Sequence, residues 1–174
     1  IAVHCTEADI ARQYIEFLHK KKVESYGIFM MYHMSSKESI LNEAFKIQSY
    51  GAEGLILMDS AGASLPQMVA ETVSYLACNL KIRVGFHAHN NLGLAIANSL
   101  VAIQNGATII DSTAQGFGAG AGNCQLEVLA GILYKMGITT DLDLYKIMDA
   151  GNKIISKIMK KPAAISSSCL MAGI

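Results

Sequence analysis

Short apolar runs alternate with longer amphipathic stretches along most of the chain. Ile1–Cys5 precedes Glu7–Lys21, where Ile10, Tyr14, Phe17 and Leu18 recur at helical spacing. Tyr26–Met31 precedes Ser36–Tyr50, with Ile40, Leu41, Ala44 and Ile47 on one face. Gly54–Met58 then precedes Pro66–Cys78, Ile82–Phe86 precedes Leu92–Gln104, and Thr108–Asp111 precedes Asn123–Met136 across a glycine-rich loop. A strand followed by a crossover helix is the repeating unit of a parallel α/β sheet, and this chain has five such units. The strands are continuous rather than alternating, which predicts burial on both faces. Punctuation agrees: Ser35 or Ser36 can cap a helix, Pro66 sits in a first turn, and Gly51, Gly106 and Gly137 follow helix ends. Asp141–Lys160 reads as a further helix that Pro162 stops, with Ile165–Ile174 as a Ser-rich tail. The expected organisation is residues 1–140 as the strand-helix units and 141–174 as a C-terminal helix with the start of a C-terminal segment.

Composition narrows the function. The 174 residues are 52% hydrophobic, enough for a real core, and 14 basic side chains balance 14 acidic ones. No Lys/Arg run exceeds Lys20–Lys22, so the positive field needed for nucleic acid is missing. Mean hydropathy is +0.33, yet polar residues interrupt every apolar stretch short of the roughly 20 residues a membrane span needs. Neither nucleic acid nor a membrane is an expected partner. Cys5, Cys78, Cys124 and Cys169 lack CxxC spacing, and no secretory signal opens the sequence; free thiols in a cytoplasmic protein are expected.

Polar residues collect just after the strands, where parallel α/β folds keep their sites. Most informative is Phe86-His-Ala-His-Asn90, in which two imidazoles at i and i+2 on a strand end point the same way and can share one cation. The competing reading, a pair that only bonds loop backbone, is weakened by the strand-end position. Asp59-Ser60 offers a carboxylate and a hydroxyl; it reads equally as a helix cap and turn, or as a ligand contact with Asp59 orienting a histidine. Glu7, Asp9 and Asp111 read as polar barrel residues or caps, His19 as surface, His4 and His33 as satisfied histidines, and Met30, Met31 and Met34 as packing. The Gly116–Ala121 stretch matches a dinucleotide fingerprint only formally, because no second strand ending in an acidic residue follows it. A close-approach loop over a ligand fits better, with Asn123 as a cap or an extra oxygen donor.

Together, His4-Cys-Thr-Glu-Ala-Asp9, Met30-Met-Tyr-His33, Met58-Asp-Ser60, His87-Ala-His-Asn-Asn-Leu92 and Gly116-Phe-Gly-Ala-Gly-Ala-Gly-Asn123 resemble the 4-hydroxy-2-oxovalerate aldolases. These are metal-dependent pyruvate aldolases of the superfamily that includes HMG-CoA lyase and isopropylmalate synthase. The resemblance covers nearly the whole chain. It implies a (β/α)8 TIM barrel that uses Mn2+, or another divalent cation such as Mg2+ or Co2+, to cleave 4-hydroxy-2-oxopentanoate into pyruvate and acetaldehyde. It also implies an acylating acetaldehyde dehydrogenase partner that receives the aldehyde through a channel. By motif, His87 and His89 would be metal ligands, Asn123 a further ligand, and Ser60 and His87 substrate contacts.

The same resemblance places the acidic ligand, an arginine and the base in an Arg-Asp-Gly-type segment with a following histidine at the family's first strand, and an active-site tyrosine in a later Tyr-Ser-Ser motif. None of these is in this sequence, so no catalytic residue is assigned within it. A complete barrel needs roughly 250 residues. The chain is therefore expected to hold strands four to eight, truncated at both ends and inactive alone, with Ser166–Ile174 just before the tyrosine motif. A second alignment would put Ser166 at the tyrosine. Two alternatives to the aldolase stand: an acyl-CoA lyase or synthase of the same superfamily, told apart by CoA dependence, and an inactive barrel piece with a docking role.

Overall fold

The computed structural model describes all 174 residues. Five strands, β1 (Ala2–His4), β2 (Tyr26–Met30), β3 (Gly54–Asp59), β4 (Arg83–Ala88) and β5 (Ile109–Asp111), form one sheet in sequence order. Every neighbouring pair is parallel. Helices α1 (Arg12–Lys20), α2 (Lys37–Ser49), α3 (Pro66–Asn79) and α4 (Ala95–Gln104) make the crossovers, and α5 (Leu126–Lys135) follows β5. A short 3-10 turn, Ala8–Ala11, leads into α1. No helix is long and apolar enough to cross a membrane.

Local chemistry accounts for the boundaries. The Ser36 hydroxyl accepts the Ser39 N–H at 3.2 Å and caps α2, which settles the choice between Ser35 and Ser36. Pro66 starts α3 where no backbone donor is needed. Gly51, with φ of 96°, ends the α2 region in a conformation that side chains rarely adopt.

One face of the sheet is the core. Val3, Phe29, Leu55, Leu57, Val84 and Phe86 point to the helices and meet Ile15, Ile40, Ile47, Val69, Val73 and Leu76, all buried. Tyr32 packs edge-on against Phe86, ring centroids 6.1 Å apart. On the opposite face Ile28, Met30, Met58 and Ile109 are only half-buried, and only Ile56 among these apolar residues is closed off. The expectation of burial on both faces therefore holds for one face alone. The strands read as continuous because the second face is apolar as well, without being fully covered by these residues.

Two further expectations change. In the 3-10 turn and α1 the residues turned inward include Ala11 and Ile15, while Ile10, Tyr14 and Phe17 are more than half exposed. Small alanines let the turn and helix sit close to the sheet, and the bulkier stripe is left on the flank. The segment from Ile165, read as a tail, holds helix α8 (Ser167–Gly173), capped by Ser166 through the Cys169 N–H. The helix expected over Asp141–Lys160 is present as α6 (Leu144–Ala150), a π-helical turn Gly151–Ile155 and α7 (Ser156–Ile158).

The asymmetry of the faces sets mutational costs. Leu57→Ala, on the helix face, should lower unfolding free energy by about 2–5 kcal/mol in urea melts. Its neighbour Met58→Ala, on the half-open face, should cost clearly less; equal losses would contradict the assignment of faces.

Candidate metal and substrate site

Parallel register builds the site. His4, Met30, Met58, His87 and Asp111 are successive partners across all five strands, so their side chains form one row on the half-open face at the carboxyl end of the sheet. His87 and Asp111 are direct neighbours in this row, and His87 Nδ1 lies 2.9 Å from Asp111 Oδ2. This hydrogen bond, with the imidazole positive when charged, holds the Asp111 carboxyl below its ordinary range. A carboxylate only accepts, so Nδ1 of His87 carries a proton and donates it, and the tautomer this selects has its lone pair on Nε2.

His89 follows on the same face, its ring centroid 5.1 Å from that of His87 with the planes at 61°. Burial, and next the proximity of His87, push its pKa below the ordinary value of 6.5. It is neutral near pH 7, as a nitrogen ligand must be.

The glycine-rich loop returns to this pair. Cys124 donates its N–H to Ala88 O at 2.9 Å, Asn90 donates to Gly122 O at 2.8 Å, and Asn123 forms an antiparallel bridge with His89. Asn123 thus lies beside the second imidazole rather than starting the next helix, which begins at Leu126. Its Nδ2 donates to Phe117 O at 3.2 Å, but its buried Oδ1 has no partner. A Cβ at Gly118 would come within 2.4 Å of that carboxamide, so only glycine lets the loop close over it.

The Ser60 hydroxyl accepts the Met31 N–H at 3.1 Å, which leaves its own proton free to donate. Met31 is left-handed, with φ of 57°, and Ser60 supports that strained turn. For Asp59 the turn reading holds and the helix-cap reading does not: it is fully buried and accepts the Ala63 and Ser64 N–H groups of the loop at 3.0 and 3.2 Å, while the N-cap position of α3 is Leu65.

The other candidates lie apart from the pair. Asp9 is on the surface, bonded to Lys46 and Tyr50. His4 bonds Thr6, His19 is exposed, and Glu7 precedes the first 3-10 turn without capping it through its side chain. His33 lines a groove of about 490 Å3, bounded by Tyr32, Lys37, Leu65 and Met68; none of the residues around His87 belongs to it.

Asp111 is what the sequence reading missed, having been taken as a barrel residue or cap. The available signal was register: aligning the carboxyl ends of the fourth and fifth strands sets Asp111 against His87. The residues present fit a divalent cation in part. Two imidazoles lie side by side, and Asn123, whose amide oxygen has no partner, is bridged through its backbone to His89; nitrogen and amide oxygen are donor types suited to a transition or manganese ion. No third His, Cys, Asp or Glu is placed to share a metal with them.

Comparison with known proteins agrees with the fold. The HMGL-like family matches residues 5–154. The 4-hydroxy-2-oxovalerate aldolase of Pectobacterium atrosepticum is 49% identical over the whole chain, and that of Spirochaeta aurantia 45%. The chain spans about half, 51%, of each of these relatives. Among solved structures, the HMG-CoA lyase of Bacillus subtilis superposes with a TM-score of 0.81 at 25% identity, covering 94% of this chain and 59% of the lyase.

The imidazole chemistry is directly measurable. In 15N-resolved NMR at pH 8, His87 should show the Nδ1–H tautomer and Asp111→Ala should shift it toward Nε2–H, while His89 should titrate below 6.5. An Nε2–H tautomer of His87 in the unaltered protein would contradict the assigned hydrogen bond.

Proposed function

Because the chain belongs to the HMGL-like family, and two imidazoles and a free amide oxygen meet at the carboxyl end of its sheet, we propose that it forms part of the active site of a divalent-metal-dependent aldolase. The reaction is cleavage of 4-hydroxy-2-oxopentanoate to pyruvate and acetaldehyde. The observation that carries the reading is the hydrogen bond from His87 Nδ1 to Asp111, which leaves the Nε2 lone pair free for a cation on a ring that lies 5.1 Å from that of His89.

In this reading His87 Nε2, His89 and Asn123 Oδ1 hold Mn2+, or Mg2+ or Co2+ in its place. The bound ion supplies Lewis-acid polarisation of the 2-keto group, which favours the enolate left by carbon–carbon cleavage. His87 keeps its ligating tautomer because Asp111 holds the Nδ1 proton throughout. Ser60 directs its free hydroxyl proton to the keto acid, and its lone pair stays on Met31. The loop from Gly116 to Gly122 closes over the site and limits water near the enolate. The acidic ligand and the base that takes the 4-hydroxyl proton come from outside these 174 residues. The released acetaldehyde passes to an acylating acetaldehyde dehydrogenase. Curated relatives at 45–49% identity favour the aldolase over the acyl-CoA lyase, whose likeness here is more distant.

The test is pyruvate formation from 4-hydroxy-2-oxopentanoate by the polypeptide containing this chain, with Mn2+ and without CoA. His87→Ala and His89→Ala should each lower turnover by about 100-fold or more and weaken Mn2+ binding by at least about tenfold. Ser60→Ala should raise KM several-fold with kcat nearly kept. Full activity in either histidine variant, or a requirement for CoA, would overturn the reading.

A further inference from the structure

Asn90 and Asn91 are adjacent, yet their side chains do different work. Asn90 Oδ1 accepts the Ala95 N–H at 3.2 Å and so steadies the start of α4. Asn91 turns the other way and is 6% exposed. Its Nδ2 donates to Ala61 O at 2.9 Å, and its Oδ1 accepts the Ala121 N–H at 3.0 Å. One carboxamide thereby joins three loops: the one after β3 that carries Ser60, the one after β4 that carries His89, and the glycine-rich loop that carries Asn123.

Both partner loops press onto Asn91 through glycines in left-handed conformation, one against its backbone and one against its carboxamide. At Gly62, φ of 59°, a Cβ would lie 2.7 Å from the backbone nitrogen of Asn91 and 3.1 Å from its Cβ. At Gly120, φ of 61°, it would lie 2.5 Å from Asn91 Oδ1. The backbone is brought this near only because neither position has a side chain. Ala61 is next to Ser60, and Ala121 is two residues before Asn123, so each end of the clamp is anchored close to a separate functional group.

We propose that Asn91 is a positioning residue that sets Ser60 and Asn123 relative to His87 and His89, with its donor serving the substrate side and its acceptor the metal side. This rests on the aldolase reading for the substrate half only. The two halves differ in support. Ala121–Cys124 has the Asn90–Gly122 and Ala88–Cys124 backbone bonds as well, at 2.8 and 2.9 Å, whereas the loop after β3 has one longer bond, from His89 N–H to Asp59 O at 3.4 Å, and beyond it Ala61 O is tied to the β4 loop through Asn91. Loss of the donor should therefore be felt more strongly than loss of the acceptor.

Asn91→Asp keeps the acceptor and the shape but removes the donor; Asn91→Ala removes both. In the polypeptide containing this chain, both variants should raise KM for 4-hydroxy-2-oxopentanoate by about tenfold with kcat within about twofold. The Mn2+ dissociation constant should be no weaker in Asn91→Asp and about fivefold weaker in Asn91→Ala. A KM equal to that of the unaltered protein in either variant, or equal weakening of Mn2+ binding in both, would overturn the proposal, as would a lower melting temperature with KM and Mn2+ affinity unchanged. If the unaltered protein itself does not turn over this substrate, the aldolase reading fails, and the metal half is still decided by the Mn2+ affinities and by hydrogen exchange at the Ala121 amide: slow in Asn91→Asp and faster in Asn91→Ala supports it, and equal rates overturn it.

Discussion

Five parallel strands in fixed register put His4, Met30, Met58, His87 and Asp111 into one row, and the rest of the site depends on that alignment. A slip of one residue between β4 and β5 would turn Asp111 to the helix side, away from His87. The His87 ring would then lose the partner that selects its tautomer. Register is protected in turn by the core on the helix face, where Phe29, Leu57 and Phe86 leave no room for a polar side chain. The apolar packing of one face thus fixes the chemistry of the other.

The loops finish what the register begins. Left-handed glycines let the segment from Gly116 to Gly122 fold back until Asn123 bridges to His89. The unpartnered Asn123 oxygen is costly to bury unless something occupies it. The loop after β3 adds the Ser60 hydroxyl, held on Met31, and no acidic side chain joins the two imidazoles as a further ligand.

Much of this was legible in the sequence. Strand-helix alternation located all five strands to within about two residues, because a short apolar run and an amphipathic helix carry different periods. The pair His87 and His89 stood out because spacing i and i+2 on a strand has one geometric meaning. Asn123 was noted as an oxygen donor but placed at a helix start, since a bridge to His89 is a long-range contact that no local pattern encodes. Asp111 and Asn91 were missed for the same reason: each acts across a strand or loop boundary. The exposed Ile10, Tyr14 and Phe17 show the limit of periodicity, which finds an apolar stripe but does not say whether that stripe or Ala11 and Ile15 faces the sheet.

The central claim is that this chain contributes two imidazole nitrogens to one metal ion. Pulsed electron paramagnetic resonance of the Mn2+-loaded polypeptide containing this chain reads those nitrogens directly. The account predicts couplings from two imidazole 14N nuclei; an ion with oxygen ligands only, or with a single imidazole, would contradict it.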